Sequence, residues 1–304
     1  MLYGVLITYC RPTELAHTLT RLTQQTRRLD RLVVVDNHPS RQNQELIRDH
    51  VPDDLPTEYV AAPENLGPAG GIALGMRVVN GWAAASDWIV LVDDDNPPSE
   101  VSLLERLEAF AEVASRRDPA TGAVGLVGAR FDRRAGRLRR IPDAELEDAV
   151  PVDYVGGGQY PFYRVGAVRA VGDFRQNLFF GFDDLEYGLR MKAAGYSIYA
   201  HGDLWLEERV RNRRLQLNIR PSTGLDEPSW RRYYGLRNLI AILRAAGETS
   251  AAVRVTLVTG LAKPVANLPR RPGLAARCLA LNARACLDGW TGRMGRTVEP
   301  AAPG

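Results

Sequence analysis

The chain has 304 residues, of which 45% are hydrophobic and 25% charged, and its formal net charge at pH 7 is +3. This composition is typical of a globular protein, and it disfavours both a disordered chain and a protein with several membrane spans. The charge excess is too small to indicate nucleic-acid binding. The three cysteines, Cys10, Cys278 and Cys286, are widely spaced, so we expect no disulfide framework and no zinc pair. The first residues lack the features of a signal peptide, and we therefore expect a cytoplasmic protein.

The first third of the chain predicts alternating strands and helices. Apolar, β-branched runs at residues 3–9 and 31–36 flank a helical pattern at Leu15, Leu19 and Leu22. A third run at residues 88–92 follows a predicted helix over residues 69–82. We therefore predict an α/β fold with a mostly parallel sheet and helices on both faces, in which ligands bind at the carboxyl ends of the strands.

The pattern changes after this sheet. Residues 124–132 and 138–141 predict a hairpin added to the sheet, and residues 183–194 predict a helix that ends at Gly195. From Trp230 onward the pattern predicts two or three helices, with proline residues as breaks. We predict a catalytic domain over residues 1–217, with a nucleotide-binding half over 1–95 and an acceptor half over 96–217. A C-terminal helical region is predicted over residues 218–304.

Basic residues dominate the C-terminal region. Between Arg254 and Arg296 there are eight basic residues and one acidic residue, Asp288. Two interpretations stay open: a solvated helical face, or contact with an anionic membrane surface or a second subunit.

Three adjacent carboxylates end a buried strand in the segment WIVLVDDDNPPS. Asp93, Asp94 and Asp95 repel one another unless a cation lies among them. Mg²⁺ and Mn²⁺ prefer such oxygen ligands, and substrate phosphates can complete the shell. We predict a divalent-cation site here, and the alternative is an exposed acidic turn.

Two further segments precede this cluster along the chain. Asp36 ends the second strand in RLVVVDN and is expected to accept hydrogen bonds from a nucleotide, unless it is a turn or capping residue. The segment ENLGPAGG could bring backbone close to a nucleotide or form a simple turn. It lacks the GxGxxG spacing, which disfavours a dinucleotide-dependent dehydrogenase.

A second acidic group, in FFGFDDLEYGLRMKAAGY, begins a predicted helix. Carboxylates at Asp183, Asp184 and Glu186 stabilise a helix N-terminus in any case. A carboxylate aimed into the ligand crevice could also act as a general base that takes a proton from an acceptor hydroxyl. Both roles can coexist.

Six segments, taken in chain order, resemble the family 2 glycosyltransferases over nearly the whole chain. They are VLITYCRP, LVVVDN, ENLGPAGG, LVDDDNPP, VGGGQYPFYR and GFDDLEYGLRMKAAGY. ENLGPAGG and RRYYGLRNL are most similar to the rhamnosyltransferase and galactofuranosyltransferase branch. The resemblance implies a GT-A fold and an inverting transfer of a sugar from a nucleotide diphosphate.

The resemblance also implies roles for individual residues. The nucleotide-sugar site would be lined by Thr8, Tyr9, Arg11, Asp36, Asn65, Gly67, Asp93, Asp94, Gly157 and Gly158. Asp95, with Asp93, would ligate the metal, Asp184 would be the general base, and Asp183 would hold sugar or acceptor hydroxyls. Many relatives have a metal-binding histidine further along, where this chain has Glu207 or Glu208, with His201 too early, so the third ligand stays open. Trp205 and Glu186 are predicted acceptor contacts, with core packing as the alternative for Trp205.

The sequence thus predicts an inverting, metal-dependent glycosyltransferase with a UDP- or dTDP-linked donor. Its acceptor would be a glycan, a glycolipid at the inner membrane face or a small molecule, and a homodimer is a further prediction. A sugar-phosphate nucleotidyltransferase is the first alternative, which the absence of glycine in TYCRPTEL disfavours. A non-catalytic sugar-nucleotide-binding protein is the second.

Overall fold

A computed structural model of the chain describes residues 1–215 and 228–300. The chain divides into two compact units, each built from segments that are distant in sequence. The first unit comprises Met1–Ala129, Ile141–Gln176 and Asp184–Leu215, and the second comprises Arg130–Arg140, Asn177–Asp183 and Gln216–Gly304. The predicted boundary at 217/218 lies outside the described residues.

The first unit contains a central β-sheet. In chain order the strands are β1 (Leu2–Thr8), β2 (Arg31–Asp36), β3 (Thr57–Ala61), β4 (Trp88–Asp93), β5 (Thr121–Gly125), β6 (Gly128–Asp132), β7 (Arg137–Arg139), β8 (Ala149–Pro151), β9 (Tyr154–Val155), β10 (Phe162–Arg164) and β11 (Ser197–His201). Eight of them form a sheet in the order β3-β2-β1-β4-β10-β5-β11-β8, in which only β10 and β8 run against their neighbours. The predicted mostly parallel sheet is confirmed.

Helices cover both faces of this sheet. They are α1 (Pro12–Thr23), α2 (Arg41–His50), α3 (Gly67–Asn80), α4 (Leu103–Arg117), α5 (Val165–Val171), α6 (Asp183–Ala193) and α7 (Gly202–Arg211). Successive side chains of β1 enter opposite cores: Val5 packs with residues of α3, whereas Leu6 packs with residues of α1 and α4. Because both faces are buried, the strand reads as an unbroken apolar run.

Two sequence predictions for the strands need correction. Residues 124–132 are not one strand, because the chain leaves the central sheet after Gly125 and starts β6 at Gly128. The predicted hairpin exists as β6 and β7, but neither strand belongs to the eight-stranded sheet. The sequence also missed α2 and β3, since α2 buries only Asn43 and Ile47 and β3 has no buried residue.

The second unit is mainly helical in its described part. It contains α8 (Trp230–Ala245), α9 (Thr249–Arg254), a π-helical segment (Val255–Ala262), α10 (Lys263–Asn267) and α11 (Pro272–Thr291). Residues 249–267 run without interruption, so Pro264 begins an α-helical turn instead of breaking the helix. Among the described residues, none of the helices has the length and apolar character needed to cross a membrane.

Candidate functional site

The middle acid of the aspartate cluster holds the turn between β1 and α1. The Asp94 carboxylate is buried and accepts hydrogen bonds from Thr8 Oγ1 at 2.8 Å and from the Tyr9 amide at 3.1 Å. The Arg11 guanidinium lies 3.4 Å from its other oxygen, and Thr18 donates to the Asp94 carbonyl at 2.7 Å. Burial raises the pKa of Asp94, although these donors counteract it. In this structure the Asp94 side chain therefore holds Thr8, Tyr9 and Arg11 in place.

The last acid of the cluster is open to solvent. The Asp95 side chain is 46% exposed and forms an ion pair with Arg11, whose guanidinium thus bridges Asp94 and Asp95. Of the three acids, Asp95 is the most exposed, whereas Asp93 is half-buried and Asp94 is buried. Arg11 is already placed to neutralise charge at the same point.

A glycine segment, residues 156–158, lies against the first acid of the cluster. A Cβ atom built on Gly158 would lie 3.0 Å from Asp93 Oδ2, so a side chain there would press on that carboxylate. A Cβ on Gly157 would meet nothing within 4 Å. The segment therefore forms a floor beside Asp93 with open space above Gly157.

The predicted general base, Asp184, lies near the other end of this floor, at Gly156. Asp184 Oδ1 accepts a hydrogen bond from the Leu185 amide at 2.7 Å, and a Cβ on Gly156 would lie 3.7 Å from Asp184 Oδ2. The pKa of Asp184 is raised to about 6, because burial and the charge of Asp93 raise it more than the amides of Leu185 and Gly157 lower it. The first unit thus places Asp93 beside Gly158 and Asp184 beside Gly156, at the two ends of the glycine floor.

The predicted nucleotide contacts near β2 are largely structural in this conformation. The Asp36 side chain is fully buried, and its carboxylate accepts from the His38 amide, Asn43 Nδ2 and Tyr59 Oη at 2.8–2.9 Å. It therefore has the turn role that the sequence left as the alternative. Asn65 Oδ1 accepts from the Gly67 amide at 2.9 Å and shapes the turn that begins α3.

The glycines of ENLGPAGG have a steric cause. Gly67 has a φ of +67°, which glycine adopts without strain. A Cβ on Gly71 would lie 2.9 Å from the side chains of both Asn37 and Ile7, so α3 can approach β1 only because this residue is glycine. Helix packing on the sheet is thus sufficient to explain Gly71.

The candidate third metal ligands have other partners. The His201 ring packs on Phe110 with centroids 4.6 Å apart, and burial lowers the pKa of His201. Glu207 pairs with both terminal nitrogens of Arg106, at 2.7 and 2.9 Å, and Glu208 binds Arg211. Across residues 1–215 and 228–300, no three His, Cys, Asp or Glu side chains are grouped so as to hold one metal ion.

The predicted acceptor contacts are occupied by packing and ion pairs. Trp205 is buried in the core with Arg209 over its ring, which is the alternative that the sequence offered. Glu186 is buried, and its carboxylate accepts from Arg190 Nε at 2.9 and 3.0 Å. Asp183, which begins α6 and belongs to the second unit, is also buried.

Sequence reasoning missed two residues that hold the glycine floor. Asn96 Nδ2 donates to the Gly158 carbonyl, and Tyr160 Oη donates to the Asn96 carbonyl. The one available signal was the position of Asn96, directly after the three aspartates. Its amide ties the floor to the aspartate cluster.

The residues present fit a hard divalent cation only in part. Asp93 and Asp95 supply oxygen donors of the type that Mg²⁺ and Mn²⁺ prefer, and Asp95 is accessible. Two carboxylates are too few for a complete shell, but Mg²⁺ is commonly bound by one or two carboxylates together with substrate phosphates. The donor set is therefore consistent with a cation that arrives with a nucleotide diphosphate.

Known proteins with the same architecture include sugar transferases. The chain can be aligned with the mannosyltransferase PcManGT from Pyrobaculum calidifontis, solved in complex with GDP-Man and Mn²⁺, at a TM-score of 0.53 and 17% identity, over 96% of this chain and 79% of that one. S. aureus TarS matches at a TM-score of 0.51 and 14% identity, over 94% of this chain and 55% of that one. At these identities the likeness establishes the fold, a mostly parallel sheet flanked by helices with further C-terminal helices.

Sequence comparison gives a closer relationship. Galactofuranosyltransferase GlfT1 of Mycobacterium tuberculosis (strain ATCC 25618 / H37Rv) is 33% identical over 205 residues, and GlfT1 of Mycolicibacterium smegmatis is 32% identical over 204 residues. These alignments cover 64% and 63% of this chain, respectively, and the chain spans 65% of the length of each relative. The family model described as glycosyl transferase family 2 matches residues 5–146, which include the carboxyl end of β1, the aspartate cluster and Arg11. Over these residues the chain is similar to glycosyl transferase family 2.

Proposed function

We propose that this chain is an inverting glycosyltransferase that moves a sugar from a nucleotide diphosphate to an acceptor hydroxyl, with Asp184 as the general base. The observation that carries the proposal is the placement of Asp93 and Asp184 at the two ends of the glycine floor, close enough for the charge of Asp93 to raise the pKa of Asp184. The open space above Gly157 would accommodate the sugar.

The proton of the acceptor would pass to Asp184. Oδ1 of this carboxylate is bound by the Leu185 amide, whereas Oδ2 lies nearest the glycine floor. As the acceptor oxygen bonds to the anomeric carbon, the bond from that carbon to the diphosphate oxygen breaks, and its electron pair leaves with the diphosphate. A base with a pKa of about 6 is ionised at neutral pH yet remains basic enough to accept the proton.

Charge that develops on the leaving diphosphate would be stabilised beside Asp95. A divalent cation held by Asp95, with Asp93, would supply Lewis-acid stabilisation of that charge. Arg11 supports the same role, because its guanidinium already lies at the Asp95 carboxylate and suits phosphate oxygens. Binding of the diphosphate would therefore add a further anionic partner for Arg11, beside Asp94 and Asp95.

The relatives suggest which donor to test first. The GlfT1 proteins are named galactofuranosyltransferases, and we propose a galactofuranosyl donor linked to UDP, with dTDP-linked sugars next. Such a reaction would take place in the cytoplasm, where nucleotide sugars are made. The acceptor is proposed only as a hydroxyl of a glycan, a glycolipid or a small molecule.

The test is the Asp184→Asn variant assayed with UDP-galactofuranose, Mn²⁺ and a panel of glycan acceptors. We expect turnover to fall by about 10²–10⁴-fold, because the general base is lost. Donor affinity, measured as the rise in Tm with UDP and Mn²⁺, should be retained.

The matched control is Asp203→Asn, which removes an exposed carboxylate in the first turn of α7. This variant should turn over like the wild type. Equal turnover by Asp184→Asn and the wild type would reject Asp184 as the base. A wild-type protein that binds UDP but transfers no sugar to any acceptor would favour the non-catalytic alternative.

A further inference from the structure

The helix over residues 249–267 carries a stripe of exposed apolar side chains, which continues to Leu268. Leu257 and Val258 are 54% and 57% exposed, and Val253, Val265 and Leu268 are also exposed. Their spacing keeps them close to one side of a helix. We call these five residues the apolar stripe.

The opposite side of this helix is fixed within the second unit. Ala251, Ala252 and Val255 are buried, and a Cβ on Gly260 would lie 2.7 Å from the Cys286 sulfur of α11. Asn282 Nδ2 also donates to the Gly260 carbonyl at 2.8 Å. The helix is thus held against α11, so the apolar stripe stays directed outward.

Basic side chains accompany the stripe without acidic partners. Arg254, Arg270 and Arg271 are exposed, and Lys263 is half-buried. None of these four side chains has an ion-pair partner in the described part of the chain. The one acid between Arg254 and Arg296, Asp288, is buried and accepts a hydrogen bond from Tyr233. The solvent-facing charge of this segment is therefore positive.

We propose that the apolar stripe docks on a bilayer that contains anionic lipid. The five apolar side chains would enter the boundary between headgroups and acyl chains, and the basic side chains would lie at the lipid phosphates. A second copy of the chain is a poorer occupant, because a two-fold contact would bring Arg254 and Lys263 near their own copies with no exposed acid to pair. This inference is independent of the proposed chemistry.

The test is co-sedimentation of the full chain with vesicles. We expect binding to vesicles of phosphatidylcholine and phosphatidylglycerol in equal amounts, weaker binding to phosphatidylcholine alone, and a decrease with rising salt. The double variant Leu257→Gln/Val258→Gln should bind at least about 10-fold more weakly, since it loses apolar burial. The double variant Arg270→Gln/Arg271→Gln should also bind at least about 10-fold more weakly, since it loses two positive charges at the lipid phosphates.

The matched control is Val101→Gln, which changes a side chain that is 46% exposed in the first unit. This variant should bind like the wild type, and circular dichroism should be unchanged in all variants. Absence of binding, equal binding to both vesicle types, or unchanged binding by Leu257→Gln/Val258→Gln would overturn the proposal. Light scattering that shows a wild-type dimer and a monomeric Leu257→Gln/Val258→Gln variant would also overturn it, by assigning the stripe to self-association.

Discussion

At the scale of single residues, the environment of Asp184 determines how the proposed reaction should depend on pH. Burial raises the pKa of this carboxyl to about 6, so it is protonated and inactive as a base below that pH. We expect kcat/KM to fall by about tenfold per pH unit on the acid side of this value. The pH profile of kcat/KM with saturating Mn²⁺ measures it. An acid limb at the ordinary aspartate pKa of about 4 would contradict the assignment.

Adjacent carboxylates in the aspartate cluster have different energetic roles. Asp94→Ala leaves Thr8 and the Tyr9 amide without their acceptor, and we expect a loss of about 2–3 kcal/mol in the free energy of unfolding. Asp95→Ala removes an exposed ion pair and should change stability by less than about 1 kcal/mol.

Urea unfolding of both variants, followed by circular dichroism, measures this difference. Activity gives the second readout: Asp95→Ala should lose turnover while it remains fully folded. Equal destabilisation by both substitutions would show that Asp94 does not hold the β1–α1 turn.

At the scale of elements, two neighbouring glycines of the floor should respond differently to an added methyl group. At one position the methyl group would press on the protein, and at the other it would enter the space proposed for the sugar. Gly158→Ala would place a Cβ 3.0 Å from Asp93 Oδ2, whereas Gly157→Ala would meet nothing within 4 Å. We therefore expect Gly157→Ala to keep the wild-type Tm but to raise KM for the donor. Gly158→Ala should lower Tm as well as activity.

Differential scanning calorimetry and donor titrations distinguish these two outcomes. The two variants differ by one position and add the same methyl group, so each serves as the control for the other. If Gly157→Ala has the wild-type KM for the donor, the sugar does not bind in the space above Gly157.

The sequence predicted the elements that have strong periodicity or a clear end. Strands β1, β2 and β4 are buried on both faces and read as apolar runs, and Gly195 ends α6 with a φ of +89°. It could not predict β3 or α2, because these expose most of their side chains. For the site, the sequence placed Asp93 and Asp184 at element ends, but hydrogen bonding decides which acids stay accessible. The carboxylates of Asp36 and Asp94 are hydrogen-bonded within local turns, and no sequence pattern indicates these turns.

At the scale of the whole molecule, the second unit is organised around a buried arginine. Arg237 donates to the carbonyls of Leu178 at 2.9 Å and Gly295 at 2.7 Å, and its guanidinium lies over the rings of Tyr233 and Tyr234. Burial lowers the pKa of Arg237. One side chain thus joins three segments that are far apart in sequence.

Arg237→Met should lower the free energy of unfolding by about 3 kcal/mol or more, since it leaves buried carbonyl groups without donors. Arg231→Met is the matched control, because Arg231 is exposed and its guanidinium lies over the Phe180 and Trp230 rings. It should cost about 1 kcal/mol or less. Urea midpoints measure both values, and equal shifts would contradict a central role for Arg237.

The second unit is built from segments that are distant in sequence, and this limits where the chain can be truncated. The Asn238 amide donates to the carbonyls of Phe180 and Gly181, and Gly136 packs against Leu243 and Val255. A truncated version that stops before α8 would leave those inner loops without the donors and side chains that cover them. A chimera that replaces the C-terminal helices should therefore exchange them together with these two loops, because the helices alone would lack the loop residues that they pack against.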